Sequence, residues 1–238
     1  MGLVNAFVAA FGALTRVPLR TDEDTRLAHV LVCFPIVGAL LGLALWLGAL
    51  LLVSVADKGR GALLAGSLLP VFYWWFTGGE NLRGLMWVVD KVPGPRGLLP
   101  QHEMYFRVSA FQATVLIKLV CTGALVYTEH AAWLIIAPLV SSAALAELCR
   151  NALPGGDAID GRYTHWIIAG PLVLAIAGWM GAFVAGAIAV VLGWLIVPTV
   201  ERMLQGARGA PLDTARRAAA EFIDQIILLL GVLYLLGR

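Results

Sequence analysis

LAHVLVCFPIVGALLGLALWLGALLLV, residues Leu27–Val53, contains no charged side chain. A hydrocarbon core of about 30 Å is crossed by roughly 20 apolar residues at 1.5 Å of rise each, so this stretch is long enough to span a bilayer as a helix. The remainder of the chain agrees. Of 238 residues 60% are hydrophobic and 13% charged, and the mean hydropathy is +0.85. An ordinary soluble domain carries about twice that share of charge.

Working outward from Leu27–Val53, six more apolar runs follow: Ala62–Phe76, Ala110–Tyr127, Ala131–Leu148, Trp166–Gly178, Ala182–Val200 and Phe222–Leu236. The expected architecture is an all-α integral membrane protein, a bundle of about seven transmembrane helices in a single polytopic domain over residues 1–238. Leu3–Leu14 is too short to cross. It lacks a basic region before it and a cleavage context after it, so it is expected to stay in the mature chain as a re-entrant or interfacial helix.

Counting crossings assigns each loop to a side. Arg16, Arg20, Arg26, Arg83, Lys91, Arg96, Arg107, Arg150, Arg162, Arg202, Arg208, Arg216 and Arg217 fall on one side, and Lys58, Arg60 and Arg238 on the other. Lys and Arg collect in cytoplasmic loops. The long connections Glu80–Val108, Arg150–His165 and Glu201–Arg217 are therefore expected inside a bacterial or archaeal cytoplasmic (inner) membrane. The outer turns, such as Thr128-Glu129-His130, are expected to be too short to hold a site.

The net charge of +2, with basic residues scattered over loops, excludes a nucleic-acid partner. Cys33, Cys121 and Cys149 show no metal-binding spacing and read as packing residues. His29, His102, His130 and His165 are too widely separated to make a ligand pair.

Lys118 lies in the middle of a predicted span. A charge at that depth calls for a ligand phosphate or carboxylate, for snorkelling to the surface, or for a structural partner such as Glu147 or Asp224. Asp213, Arg217, Glu221 and Asp224 are spaced to share one helix face, with Asp224 at the membrane end. That stripe is either a site for a metal or cationic group, or an Arg217–Glu221 ion pair beside a solvated Asp213. Asp157 and Asp160, in Pro154-Gly155-Gly156-Asp157-Ala158-Ile159-Asp160-Gly161-Arg162, could hold a metal or simply build a turn. Phe72-Tyr73-Trp74-Trp75-Phe76 is either an interfacial anchor or a flat wall against a ring-shaped ligand.

Several stretches, in order, resemble the cobalamin synthase family, the adenosylcobinamide-GDP ribazoletransferases. Phe11-Gly12-Ala13-Leu14-Thr15-Arg16-Val17-Pro18 is similar to the family's F-x-x-L-T-R-x-P. Phe34-Pro35-Ile36-Val37-Gly38 with Gly42 is similar to F-P-x-V-G-x-x-x-G. Thr77-Gly78-Gly79, with Asn81, Arg83, Gly84, Trp87 and Asp90, keeps the frame of T-G-G-x-H-x-D-G-x-x-D-x-x-D. Asn81 replaces its histidine, Arg83 and Trp87 replace two aspartates, and only Asp90 remains. Met104 to Phe111 resembles M-K-D-S-R-I-G-A-F-G without the Lys-Asp pair. Gly209 to Glu221 resembles T-G-D-x-x-G-A-x-x-E, keeping Asp213 and Glu221.

The resemblance implies a magnesium-dependent transfer joining a ribazole nucleoside (phosphate) to adenosylcobinamide-GDP, with GMP leaving. It carries over Asp90, Asp213 and Glu221 as catalytic acids. Asp90, Asp213, Glu221, Asp157 and Asp160 become candidate Mg2+ ligands, since magnesium prefers carboxylate oxygens. Arg83, Lys118, Arg107, Thr77, Gly78 and Gly79 become candidate substrate-binding residues. Corrinoid and nucleotide substrates, the lipid bilayer and other membrane subunits are the expected partners. The lost acids favour an alternative: a catalytically inactive paralogue serving as a membrane scaffold or as a subunit of a larger membrane complex.

Overall fold

The computed structural model describes residues 2–19, 27–91, 100–150, 164–206 and 212–237. The described residues form nine helices and no strand: α1 (Gly2–Leu14), α2 (Leu27–Val55), α3 (Lys58–Phe76), α4 (Glu80–Lys91), α5 (Pro100–Tyr127), α6 (Trp133–Arg150), α7 (Thr164–Trp179), α8 (Phe183–Gly206) and α9 (Leu212–Leu236). The protein is an all-α membrane protein, as its sequence predicts. All seven expected spans are helices. Five of them, α2, α5, α6, α8 and α9, contain segments long and apolar enough to cross a bilayer. α7 has 16 residues, about 24 Å of helix, and α3 carries Lys58 and Arg60 in its first turn.

Helices also occupy stretches expected to be loop. α4 fills 80–91, α5 begins ten residues before the predicted Ala110, and α8 continues to Gly206. Apolarity marks where lipid lies, whereas the backbone hydrogen bonds of a helix continue into water.

α6 is the axis of the bundle. It packs against α2, α7, α8 and α9, and 94% of it is buried, against 28% of the spans in α5 and α8. α2 lies closest to it, and Gly38 and Gly42 make that approach possible. A Cβ at Gly42 would stand 2.5 Å from Ile135 Cα and 2.7 Å from the Leu134 carbonyl oxygen. This is the small-residue packing through which helices associate in lipid, where no hydrophobic drive favours one neighbour over another. α1 buries Ala6, Ala10 and Leu14, one stripe at helical spacing, and packs on α2.

Side-chain and backbone bonds sort the turns onto two ends. At one end Lys58 Nζ sits 2.6 Å from Glu129 Oε1, joining the start of α3 to the α5–α6 turn. At the same end Tyr234 Oη donates to the Gly181 carbonyl oxygen at 2.8 Å, joining α9 to the α7–α8 turn. At the other end the Arg16 backbone N–H donates to the Phe76 carbonyl oxygen at 2.9 Å, and Arg217 Nη2 donates to the Ala13 carbonyl oxygen at 3.4 Å. The first end also carries an open hollow of about 300 Å³ lined by Trp46, Glu129, His130, Ala132, Trp179 and Met180, between the α5–α6 and α7–α8 turns.

Candidate active site

Two of the quoted motifs meet at the Arg16 end. Thr77 closes α3, its backbone N–H and its hydroxyl both donating to the Tyr73 carbonyl oxygen, at 2.9 and 2.8 Å. Gly78 and Gly79 then take φ of +77° and +63°, a left-handed pair that only glycine adopts without strain. They reverse the chain into α4, where the Arg83 N–H bonds the Gly79 carbonyl oxygen at 2.8 Å. Arg16 lies against this turn, its Cγ 3.1 Å from where a Gly78 Cβ would be. The Leu-Thr-Arg and Thr-Gly-Gly motifs therefore dock α1 and α3 on each other, and part of their sequence signal is mechanical.

A small cleft opens beside that turn, lined by Thr77, Asn81, Ser141, Ser142 and Arg217 among apolar neighbours from α2, α6 and α9. The hydroxyls of Thr77, Ser141 and Ser142 donate to carbonyls of their own helices. Their protons are committed to those bonds, whereas Arg217 and the Asn81 carboxamide bring further N–H donors to the lining. Asn81 stands where the family motif has histidine.

Beneath the cleft, deeper in the bundle, lies the strongest electrostatic feature of the described residues. Lys118 Nζ from α5 is 2.8 Å from Glu221 Oε1 and 2.8 Å from Asp224 Oδ2, both from α9. The three side chains are 3%, 0% and 4% exposed, so these are wholly buried ion pairs, for which removing one partner is expensive. Trp74 Nε1 also donates to Glu221 Oε1, at 3.2 Å. The Tyr73 and Trp74 rings stand 4.6 and 5.3 Å from the ammonium, within cation–π range. A cavity of about 20 Å³, room for one water, adjoins Lys118, Thr122 and Asp224.

This geometry decides several readings the sequence left open. The depth of Lys118 is answered by Asp224 together with Glu221, and Glu147 is not involved. Glu147 is instead bound to Arg150 in α6 and to His165 in α7, across the two ends that flank residues 151–163. The acidic stripe of α9 faces the interior at Glu221 and Asp224, while Arg217 turns toward α1 and not to Glu221. The aromatic run divides. Tyr73 is buried, and it and Trp74 reach the ammonium, while Phe72 and Trp75 are exposed on the outer face, the usual interfacial placement.

The other candidate residues are more scattered. Arg83 is exposed and paired within α4 to Glu80 at 3.0 Å. Asp90 lies in α4, Arg107 in α5 and Asp213 in α9, with side chains outside the described residues. Asp157 and Asp160 lie outside the described residues altogether. Ser141 and Ser142 were not singled out from sequence. Asn81 was noted there only as the residue in place of the motif histidine, and Trp74 only as a member of the aromatic run next to Thr77.

Among the described residues no group of three His, Cys, Asp or Glu could hold a metal ion. Glu221 and Asp224, a close pair of interior acids, share an ammonium. A divalent cation does not fit where that ammonium sits.

Comparison with known proteins adds the following. A family model described as cobalamin-5-phosphate synthase matches residues 6–97. A Pseudomonas putida (strain W619) protein named adenosylcobinamide-GDP ribazoletransferase is 27% identical over 195 residues, covering 73% of this chain and 78% of its own. A Pseudomonas fluorescens (strain SBW25) protein of the same name is 25% identical over 242 residues, covering 93% and 97%. No solved structure matches. With the family model falling on the α1, α2 and Thr77-Gly78-Gly79 motifs and both relatives aligned along most of their length, the chain is similar to the cobalamin synthase family.

Proposed function

We propose that the chain is a membrane transferase of the adenosylcobinamide-GDP ribazoletransferase type, working at the end of the bundle that holds the Thr77 turn and Arg217. The observation that carries this reading is the similarity to two proteins of that name over 73% and 93% of the chain. In the reaction, a ribazole 5′ oxygen attacks the phosphate next to cobinamide and GMP leaves. The cleft suits the anionic part of such a substrate. Arg217 supplies a guanidinium fork and Asn81 an amide donor, groups that match phosphate oxygens in charge and geometry. The exposed Arg83 would add a second cation at the rim.

Magnesium belongs to this reading as its cofactor, where it would screen the diphosphate charge. Asp90 and Asp213, with Asp157 and Asp160, are the acids this reading assigns to hold it. The same reading puts the Thr77 end on the cytoplasmic side of the inner membrane, where the basic residues gather.

A second reading, an inactive paralogue acting as a scaffold or complex subunit, is favoured by the family acids replaced at Arg83 and Trp87. Incubating the purified protein with adenosylcobinamide-GDP, ribazole and magnesium, and following GMP, separates the two. Under the transferase reading GMP appears, and Arg217→Gln slows its release about 100-fold, the scale of losing one preorganised donor. Absence of GMP at every magnesium concentration overturns that reading. Co-purification of stoichiometric partner chains would then support the scaffold.

A further inference from the structure

Glu221 is one of the acids the family resemblance assigns to magnesium, and it is the one whose surroundings are fully visible. It has no exposed surface. Its Oε1 takes both the Lys118 ammonium and the Trp74 indole N–H. Asp224, three residues on and one turn deeper, gives Oδ2 to the same ammonium. The ammonium also lies over the rings of Tyr73 and Trp74. Lys118 therefore sits between two carboxylates contributed by a different helix, the position a bridging cation would take. A divalent ion brought there would meet a fixed positive charge about 3 Å from each oxygen it needs, in a medium that screens little.

We infer that Lys118 is this protein's own counter-cation at Glu221 and Asp224, taking the place of a dissociable divalent ion. The two carboxylates bind no metal while the ammonium is present. They become a divalent-cation site once it is removed. Two observations show what such a site would use. Glu221 Oε2 and Asp224 Oδ1 are buried and make no hydrogen bond, so each carboxylate keeps an oxygen in reserve. The small cavity next to Lys118, Thr122 and Asp224 joins the space a shortened side chain would vacate, leaving room for an ion and a water. If Asp90, Asp213 or the 157–160 acids hold magnesium, they do so independently of Glu221. The inference thus refines the metal expectation of the transferase reading without needing the chain to be active.

The test is manganese binding to the full chain in detergent, followed by electron paramagnetic resonance and calorimetry, neither of which depends on turnover. In the lysine-containing protein, Glu221→Gln and Asp224→Asn are expected to leave any manganese affinity within about twofold. Loss of a true ligand would instead weaken it by about tenfold or more, the scale that even an outer-shell partner commands. Lys118→Ala is expected to gain a manganese site that Lys118→Ala/Glu221→Gln lacks, while Lys118→Arg gains none. Manganese binding that collapses in Glu221→Gln with Lys118 intact overturns the inference, as does a folded Lys118→Ala protein that gains no site. Should Lys118→Ala fail to fold, Glu221→Gln and Asp224→Asn in the lysine-containing protein decide the question. Absence of GMP release from the unsubstituted protein, with manganese binding as expected, would count against the transferase reading alone.

Discussion

Replacing Gly42 with alanine adds one methyl group at the tightest point of the α2–α6 seam. That Cβ would stand 2.5 Å from Ile135 Cα, 2.7 Å from the Leu134 carbonyl oxygen and 2.9 Å from the Ile135 carbonyl oxygen. All three are backbone atoms, so no side chain can rotate away. Ordinary contact begins near 3.4 Å, so the two helices must part by about 1 Å. A gap of that size forfeits a quarter to a half of each atom pair's attraction along the seam. Overpacking typically costs about 1–3 kcal/mol, and a clash of backbone with backbone belongs in the upper half, about 2–3 kcal/mol. At roughly 2–4 °C per kcal/mol for a chain of this size, the midpoint of unfolding should fall by about 4–12 °C. The assay is thermal unfolding in detergent, followed by circular dichroism. Gly170→Ala is the control, since a Cβ there meets nothing within 4 Å and alanine gains about 0.8–1 kcal/mol of helix propensity. A Gly42→Ala midpoint equal to wild type, or to Gly170→Ala, would refute the close approach of α2 to α6.

Lys118→Met should destabilise the protein by about 3–5 kcal/mol by leaving two buried carboxylates without their counter-charge, and the Lys118→Met/Glu221→Gln/Asp224→Asn triple should recover most of the loss. Wild-type stability of the single variant, in the same unfolding assay, would show that the ion pairs are not buried. At the opposite end, the hydrogen bond from Lys58, with its charge, holds the Glu129 carboxyl below its usual value of 4.5. Because the folded-state value is the lower one, the pair's contribution is complete above about pH 4.5 and disappears as pH falls through the depressed value. Glu129→Gln should flatten the acid limb of the stability profile there, and an unchanged limb would count against the pair. Cysteines placed at 130 and 205 should react with an impermeant maleimide from opposite faces of the membrane, 205 from inside. External labelling at 205 with none at 130 would reverse the proposed sidedness.

The sequence carried most of the architecture because lipid imposes a strong constraint, a run of apolar residues, and every such run became a helix. It carried less where that constraint ends. α4 and the first ten residues of α5 are polar enough to have passed for loop, since nothing in their composition separates a helix in water from a connection. Lys118 was conspicuous as a charge among apolar residues, but two acids on α9 and Glu147 on α6 all had the right sign. Only the packing of α5 against α9 chose between them. Tyr73 and Trp74 could not be told from Phe72 and Trp75 by residue type. Which face of α3 looks inward depends on where α5 lies. Ser141 and Ser142 gave no signal, because in a helix that bonds its own hydroxyls they resemble any small packing residue.

Burial of α6 on every side changes what selection can act upon there. The helices around it must satisfy lipid, and for them an extra polar group is a solvation problem. α6 meets no lipid, and so Pro138, Ser141, Ser142 and Glu147 can occupy a membrane span whose hydropathy, 1.4, is the lowest of the five. Its residues answer to shape instead. A hydroxyl for a methyl is a small change at such a position, whereas one added carbon is felt by several neighbouring helices at once.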